Sequence, residues 1–235
     1  MTTASPDAGL RASSPAILFD LDGTLIDSVY QHVAAWHEAL LQSGIAVSVW
    51  KLHRRIGMSG GLFLHALQRE IGREISPEQQ ATLTQLHAEG YVRRLPEVTP
   101  LPGARDLVHY LAERSVPFAI ATSGAGRTAA RSIELLDLQV EVPVVTRDQV
   151  ERAKPDPHLF LAAAQMLGVS PMDCFVVGDS VWDLLAAQRA RALSVGVLSG
   201  GYGREELQAC GAYRVYADVQ EMLDRIEEIG VRPAV

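Results

Sequence analysis

The chain has 235 residues, of which 48% are hydrophobic and 21% are charged, and its net charge is −7 at pH 7. This composition predicts a soluble globular protein with a substantial core, and the acidic balance argues against nucleic acid or an acidic membrane surface as the main partner. Polyphosphates are not excluded, because a local basic site can lie on an acidic protein.

The amino-terminal segment and the two cysteines carry little functional signal. Residues 1–15 are small and polar, and we interpret them as a loose tail because they lack the apolar segment of a signal peptide. Cys174 and Cys210 form neither a disulfide framework nor a zinc-binding spacing, and the apolar run around Cys174 predicts a buried thiol. No apolar run reaches 18 residues, so we expect no membrane span and a cytoplasmic location.

Short apolar runs alternate with helical patterns along most of the chain. The predicted strands are 16–19, 117–121, 142–146, 174–178, 193–197 and 213–216. The predicted helices are 103–114, 126–136, 157–167, 181–190 and 219–229. This alternation favours an α/β fold, with a doubly wound, Rossmann-like parallel sheet between two layers of helices. Asp156 before Pro157 predicts a helix N-cap, and Ser76 with Gln79 resembles a capping box.

The segment between the first two predicted strands interrupts this alternation. Residues 28–97 contain leucines at helical spacings and no strand pattern. Seventy residues are too many for one crossover connection. We therefore predict an inserted all-helical domain of about four helices at the carboxyl edge of the sheet, so that the core domain comprises 16–27 and 98–235.

Two carboxylates follow the first predicted strand, in the sequence "AILFDLDGT". Asp20 and Asp22 are two residues apart, so they point the same way at the sheet edge where open α/β sheets bind ligands. A turn or a helix N-cap is the alternative interpretation. Buried carboxylates are costly without a partner, and this pair therefore raises the question of what neutralises it.

Two further polar clusters follow in the chain. Thr122, Ser123 and Gly124 come directly after "PFAIA", where a hydroxyl and small residues suit phosphate oxygens and a helix begins near Gly126. A simple turn explains this cluster equally well. Lys154 lies in "RAKPDP", on a rigid loop before a helix, and a solvated lysine is the alternative.

The last cluster is "FVVGDSVWD", in which Asp179 ends an apolar strand and Asp183 follows one helical turn later on the same face. Helix capping could explain Asp179 but accounts less well for the pair. The strands that precede these clusters would bring the carboxylates and one lysine together. Such a group of hard oxygen ligands predicts a Mg²⁺ site, which would neutralise the paired carboxylates.

The segments "DLDGT", "TSG", "AKPDP" and "GDSVWD" resemble, in order, the four motifs of the haloacid dehalogenase superfamily of phosphohydrolases. The resemblance covers nearly the whole chain, and the helical insert resembles the type-1 cap of phosphoglycolate-phosphatase-like and β-phosphoglucomutase-like members. It implies a monomeric, Mg²⁺-dependent phosphatase of a small phosphorylated metabolite. The substrate would be a sugar phosphate or a metabolite bearing one, such as a phosphorylated sugar joined to an aromatic polyketide.

The resemblance also implies roles for individual residues. Asp20 would be the nucleophile that forms an aspartyl phosphate, and Asp22 would be first a general acid and then a general base. Thr122, Ser123 and Gly124 would bind phosphoryl oxygens, and Lys154 would neutralise charge between nucleophile and phosphate.

The same resemblance implies three direct ligands for the metal ion and one carboxylate that acts through a water. Mg²⁺ would be bound by Asp20, by the main-chain carbonyl of Asp22 and by Asp179. Asp183 would act through a bound water.

The predicted insert supplies further candidates for substrate binding. His32, together with Trp36, matches a pair in the mutase pattern, although a buried core histidine is an equally good interpretation. Gly57, Met58 and Ser59 would form a small loop over the site with room for a bulky leaving group.

The same loop bears on the choice between phosphatase and mutase. Ile56 and Gly60 stand where the mutases carry a lysine and an arginine, which favours a phosphatase over a phosphosugar mutase. Arg54 and Arg55 would either reach the substrate or lie on a solvated face.

Three other readings are disfavoured by the motif residues themselves. Dehalogenases and phosphonate hydrolases of this fold lack the second aspartate of the first motif, whereas Asp22 is present here. Lys51, the only lysine of the insert, would otherwise be the candidate for a phosphonate hydrolase. A non-catalytic binding domain on the same scaffold is expected to lose a motif aspartate, and none is missing.

Overall fold

The computed structural model describes residues 15–231, so nearly all of the tail predicted over 1–15 lies outside the described residues. The strands are β1 (Ala16–Phe19), β2 (Ile26–Asp27), β3 (Thr99–Pro100), β4 (Phe118–Ala121), β5 (Val144–Val145), β6 (Cys174–Gly178), β7 (Leu193–Val197) and β8 (Arg214–Tyr216). The helices are α1 (Val29–Gln42), α2 (Val49–His53), α3 (Gly60–Ile71), α4 (Pro77–Arg94), α5 (Ala104–Glu113), α6 (Gly126–Glu134), α7 (His158–Leu167), α8 (Val181–Ala190), α9 (Arg204–Ala209) and α10 (Val219–Asp224).

The central sheet has six parallel strands in the order β5-β4-β1-β6-β7-β8. Successive residues of β1 face opposite layers: Phe19 packs in one core cluster with Leu107 of α5, and Leu18 packs in the other with Phe160 of α7. The α/β fold with a doubly wound parallel sheet is therefore confirmed. Because β1 pairs with β4 on one side and β6 on the other, the loops after these three strands meet at one edge, where such sheets bind ligands.

The chain between β2 and β3 contains the four helices α1–α4, as predicted. They enclose a separate apolar cluster that includes Trp36, Leu40, Leu52, Phe63 and Leu67. We refer to α1–α4 and their connections as the helical insert. The assignment of 28–97 to a domain of its own stays a prediction.

One of the two predicted capping features is confirmed and the other is wrong. Ser76 and Gln79 form the capping box of α4, with the hydroxyl accepting from the Gln79 N–H and the Gln79 side chain accepting from the Ser76 N–H. Asp156 is not an N-cap, because α7 starts at His158 and Pro157 occupies the cap position. The Asp156 N–H instead donates to the carbonyl of Ala153 at 3.2 Å, which closes a turn ahead of the helix.

Three features depart from the predicted elements. The antiparallel pair β2–β3, with Ile26 opposite Pro100, was not predicted, since two-residue strands carry no alternation pattern. The helix α9 is short and was also not predicted. The helix predicted over 219–229 ends at Asp224, and a 3₁₀ turn over Ile226–Ile229 follows it.

The structure bears on two further expectations. Cys174 is buried, as predicted, and neither it nor Cys210 forms a disulfide within the described residues. Between Pro15 and Val231, no helix combines the length and the hydrophobicity that crossing a membrane requires.

Candidate active site

Three buried carboxylates meet at the carboxyl edge of the sheet. Asp20 follows β1, Asp179 follows β6, and Asp183 lies in the first turn of α8. One oxygen from each of the three lies within 4.8 Å of the others, and all three residues are buried. The structure thus brings together three of the four acids predicted from the sequence as one group. The carboxylate of Asp22 is not part of it.

Lys154 is the cation of this cluster. Its side chain is fully buried, and its ammonium contacts Asp20 Oδ1 and lies 2.8 Å from Asp183 Oδ1. Burial alone would lower the pKa of Lys154, but the carboxylates of Asp183 and Asp20 outweigh burial and raise it. The lysine is therefore charged, and it is not the solvated residue that the sequence left open.

One ammonium does not balance three carboxylates. Burial raises the pKa of Asp20 to about 7, although Lys154 acts in the opposite direction. Burial and the repulsion from Asp183 and Asp20 raise the pKa of Asp179 well above its usual value. The cluster therefore attracts further positive charge, and its all-oxygen donors suit a hard divalent cation.

Two glycines allow the main chain to approach the Asp179 carboxylate closely. A Cβ on Gly200, the last residue of the 3₁₀ turn Leu198–Gly200, would lie 1.6 Å from Asp179 Oδ2. A Cβ on Gly23 would lie 2.7 Å from the same oxygen. Thr24 Oγ1 donates to the other oxygen, Oδ1, at 3.3 Å. The backbone at Gly23 and Gly200 thus packs directly against the Asp179 carboxylate, and a side chain at either position would displace it.

We expect Gly200→Ala to weaken the binding of a divalent cation by about tenfold or more, because the new methyl group displaces Asp179. Isothermal titration of Mg²⁺ into the metal-free protein measures this. Gly61→Ala is the matched control, since a Cβ there meets nothing within 4 Å. Unchanged Mg²⁺ affinity in Gly200→Ala would contradict the assignment of Asp179 as a ligand.

Hydrogen bonds to residues outside the acidic cluster hold the carboxylate of Asp22 away from it. Ser28 Oγ donates to Asp22 Oδ1 at 2.6 Å, and His32 Nε2 lies 3.3 Å from the same oxygen. Thr122 Oγ1 donates to Asp22 Oδ2 at 3.4 Å. Burial would raise the pKa of Asp22, but His32 and the Ser28 hydroxyl outweigh it and lower the pKa.

His32 belongs to a column of aromatic rings that the sequence did not reveal. Its Nδ1 lies 3.1 Å from His87 Nε2, and its ring stacks on Tyr91 with 3.9 Å between centroids. The ring of Trp36 stacks on His87 at 4.2 Å. Burial lowers the pKa of His87 well below its usual value, so this residue is neutral. His32 of α1 is thereby held in orientation by His87 and Tyr91 of α4.

The segment after β4 contacts both Asp22 and the helical insert. The Gly124 N–H donates to Thr122 Oγ1 at 2.9 Å. Ser123 Oγ donates to the carbonyl of Gly57 at 3.1 Å, so its hydroxyl is engaged by the insert. Gly57 has φ +92°, and a Cβ there would lie 2.8 Å from Ser180 Oγ, so both its conformation and its packing require glycine.

Of the other residues predicted to form the loop over the site, Met58 lies at the cavity and Ser59 lies at the start of α3. Met58 lines the cavity beside the acids. Ser59 is the N-cap of α3, accepting from the Leu62 N–H at 3.4 Å, and its own N–H donates to the carbonyl of Lys154 at 3.0 Å. A role for Ser59 in substrate binding stays a prediction.

Three basic residues near the predicted loop, Lys51, Arg54 and Arg55, are paired with acids. Arg55 and Lys51 both contact Glu70, and Arg54 pairs with Glu206 and lies over the ring of Tyr202. Their charges are therefore largely compensated within the protein. Arg55 still lines the cavity, but with its charge directed to an acid of α3.

A cavity lies between the acidic cluster and the helical insert. About 840 Å³ of empty space lies between its lining residues, and part of this space is open to solvent. Asp20, Asp22 and Thr122 form its floor, and Trp36, Ile56, Met58 and Phe63 form much of its wall. Such a space accepts a small molecule with an apolar or ring-shaped part, with one end at the carboxylates.

Sequence reasoning missed several residues of this site. Thr24 lies inside the "DLDGT" segment, and the paired glycines at 200 and 201 follow a predicted strand, so both carried a local signal. His87 and Arg147 also line the cavity, but a single histidine in a helix and a single arginine after a short strand carry none.

Comparison with known proteins agrees with this geometry. A family model described as haloacid dehalogenase-like hydrolase matches residues 15–191. A solved structure of a hydrolase from Pseudomonas syringae is 47% identical and superimposes with a TM-score of 0.90, covering 92% of this chain and 100% of that one.

Two curated relatives are similar over most of their length. Hexitol phosphatase A of Escherichia coli (strain K12) is 32% identical over 174 residues, which cover 74% of this chain and 78% of the relative. The β-phosphoglucomutase of Bacillus subtilis (strain 168) is 29% identical over 191 residues, which cover 79% of this chain and 84% of the relative.

Proposed function

Because the chain belongs to the haloacid dehalogenase-like hydrolases, we propose that it is a phosphoric monoester hydrolase that uses Mg²⁺ to release phosphate from a small phosphorylated metabolite. One observation carries the proposal: Asp20, Asp179, Asp183 and Lys154 form a buried charged cluster next to a cavity large enough for a metabolite. The phosphatase among the relatives supports the same reaction class.

Mg²⁺ would be held by Asp20, by Asp179 and by the main-chain carbonyl of Asp22. Asp183 would act through a water, because Ser180 donates to its Oδ2 through both N–H and hydroxyl, and Lys154 contacts its Oδ1. When bound, the metal ion supplies positive charge that stabilises the phosphoryl oxygens during transfer.

Asp20 is the proposed nucleophile. One of its carboxylate oxygens forms a bond to phosphorus while the ester P–O bond breaks, which gives an aspartyl phosphate and an alkoxide leaving group. Lys154, already in contact with Asp20, reduces the repulsion between this carboxylate and the phosphate. Thr122 would donate a hydrogen bond to a phosphoryl oxygen.

Asp22 is the proposed proton carrier. It gives a proton to the leaving alkoxide and then takes one from the water that attacks phosphorus, which releases phosphate and restores Asp20. The hydrogen bonds from Ser28 and His32 favour its ionised form, which suits the second step. For the first step Asp22 must therefore take up a proton before the ester bond breaks.

The helical insert would act as the substrate-binding cap domain over 28–97. Its contribution to the cavity includes His32, Gly57 and Met58, alongside Trp36 and Phe63. Walls of this kind suit a sugar phosphate or a larger metabolite that carries one.

A phosphosugar mutase is the second candidate, favoured by the similarity to β-phosphoglucomutase. A mutase must retain a bisphosphate intermediate and turn it around, which requires cations at both ends. In this chain Gly60 has no side chain, and Arg55 is paired with Glu70. This arrangement supports hydrolysis, in which water intercepts the aspartyl phosphate.

The deciding experiment is ³¹P NMR of glucose 1-phosphate and other phosphomonoesters incubated with the protein and Mg²⁺. We expect inorganic phosphate to appear without a bisphosphate activator, and we expect EDTA to stop its release. Stoichiometric formation of glucose 6-phosphate would establish the mutase instead. Lack of turnover for every phosphomonoester, including p-nitrophenyl phosphate, would support a non-catalytic binding domain.

A further inference from the structure

Arg147 is a cation of the cavity wall that the proposed reaction does not use. It begins the 3₁₀ turn Arg147–Gln149, directly after Thr146 and the edge strand β5, and so belongs to the sheet side of the cavity. About a third of its side chain is exposed. Among the described residues, the one ion contact of its guanidinium is with its neighbour Asp148, at 3.9 Å.

The helical insert makes room for this guanidinium. A Cβ on Gly60 would lie 2.8 Å from Arg147 Nη1, so the arginine reaches the start of α3 because position 60 has no side chain. Arg54 and Arg55 of the insert differ in this respect, since each is paired with a glutamate. Within the part of the chain that the structure describes, Arg147, from the core, is therefore the arginine of the cavity lining that no glutamate pairs.

Arg147 stands at the mouth of the cavity. A groove outside the cavity runs between α3, α4 and α6, and four residues line both spaces: Gly60, Thr84, Ala88 and Arg147. Arg127, an exposed residue of α6, lies further out along the same groove. A substrate with its phosphate at Asp20 and a long leaving group would pass Arg147 on its way out.

The charge of Arg147 acts on groups of the cavity. Burial is the main cause of the lowered pKa of His87, and the positive charge of Arg147 adds to it. Guanidinium groups bind carboxylates and phosphates through paired hydrogen bonds, and a weakly paired guanidinium on a largely apolar wall lacks such a partner.

We propose that Arg147 binds a second anionic group, a carboxylate or a phosphate, on the leaving group of the substrate. The inference rests on the proposed phosphatase function and narrows its substrate to phosphomonoesters that carry negative charge away from the scissile bond. Arg147 is a specificity residue in this account and takes no part in bond cleavage. A single arginine also differs from the two cations of the mutase pattern.

The test compares two matched pairs of substrates. In the first pair, 6-phosphogluconate carries a carboxylate where glucitol 6-phosphate carries a hydroxymethyl group. In the second pair, fructose 1,6-bisphosphate carries a second phosphate that fructose 6-phosphate lacks. We expect the wild type to show a higher kcat/KM, by about tenfold or more, for the charged member of at least one pair. Which pair shows the preference identifies the anion as carboxylate or phosphate.

The variants Arg147→Ala and Arg147→Lys complete the experiment. Arg147→Ala should remove most of the preference by raising KM for the charged member of the pair. Arg147→Lys should keep part of the preference. Arg131→Ala, at an exposed position of α6, is the control and should keep the wild-type ratio.

Three results would count against the inference in different ways. A wild type without preference in both pairs, or equal losses for both members in Arg147→Ala, would overturn it while leaving the phosphatase function standing. No phosphate release even from p-nitrophenyl phosphate would contradict the proposed function itself, and the inference with it.

Discussion

Asp20→Asn is expected to lower kcat by about a thousandfold or more while the fold stays intact. The amide keeps the shape of the side chain but cannot form the aspartyl phosphate. It also removes one of three buried carboxylates that a single ammonium compensates, so we expect no loss of stability. Phosphate release from p-nitrophenyl phosphate with Mg²⁺ measures the activity, and circular dichroism measures the fold.

Asp27→Asn is the matched control for this variant. Asp27 lies in the same segment, but its side chain is exposed on β2. The Asp27→Asn variant should therefore be as active as the wild type. Trapping with a rapid quench should also show phosphate bound to wild-type protein and none bound to Asp20→Asn. Near-normal turnover in Asp20→Asn would show that another group attacks phosphorus.

The sheet and the acidic cluster were predictable because their signals are local. The strands β1, β6 and β7 coincide with apolar runs of four or five residues, and each acid directly follows such a run or lies in the next helical turn. Parallel strands then bring these ends to one edge without further information. Leucines at helical spacings likewise made the helical insert predictable.

The rest of the site depends on contacts between distant segments. His87 meets His32 across 55 residues of chain, and Arg147 reaches the start of α3 because Gly60 lacks a side chain. The misplaced cap at Asp156 has a local cause, since a turn to Ala153 competes with the helix start. Short-range patterns describe elements well, but they do not tell which side chains meet when elements pack.

Lys154→Met is expected to destabilise the metal-free protein by about 3 kcal/mol at pH 8. The substitution removes the ammonium that contacts Asp20 and Asp183 inside the core, and it leaves the three carboxylates without a cation. Methionine fills much of the same volume, so the change is mainly electrostatic. Activity should fall as well, because the proposed phosphate site loses its charge.

The size of this destabilisation should depend on pH. Burial raises the pKa of Asp20 to about 7, and Lys154 counteracts part of that rise, so the pKa goes higher when the lysine is removed. A carboxyl group whose pKa is higher in the folded than in the unfolded state contributes stability at low pH and loses it as the pH rises through the folded value. The deficit relative to wild type should therefore be small at pH 5 and largest at pH 8.

Urea denaturation in EDTA at pH 5 and at pH 8 measures the free energy of unfolding of the variant and of the wild type at each pH. Lys51→Met is the matched control, because Lys51 pairs with Glu70 at a partly exposed position and its removal should cost little at either pH. Mg²⁺, which the proposed site would bind in the folded state, should recover part of the lost stability in Lys154→Met at pH 8. A deficit that is equal at the two pH values would mean that Lys154 stabilises the fold by packing, and that the carboxylates are not the groups it compensates.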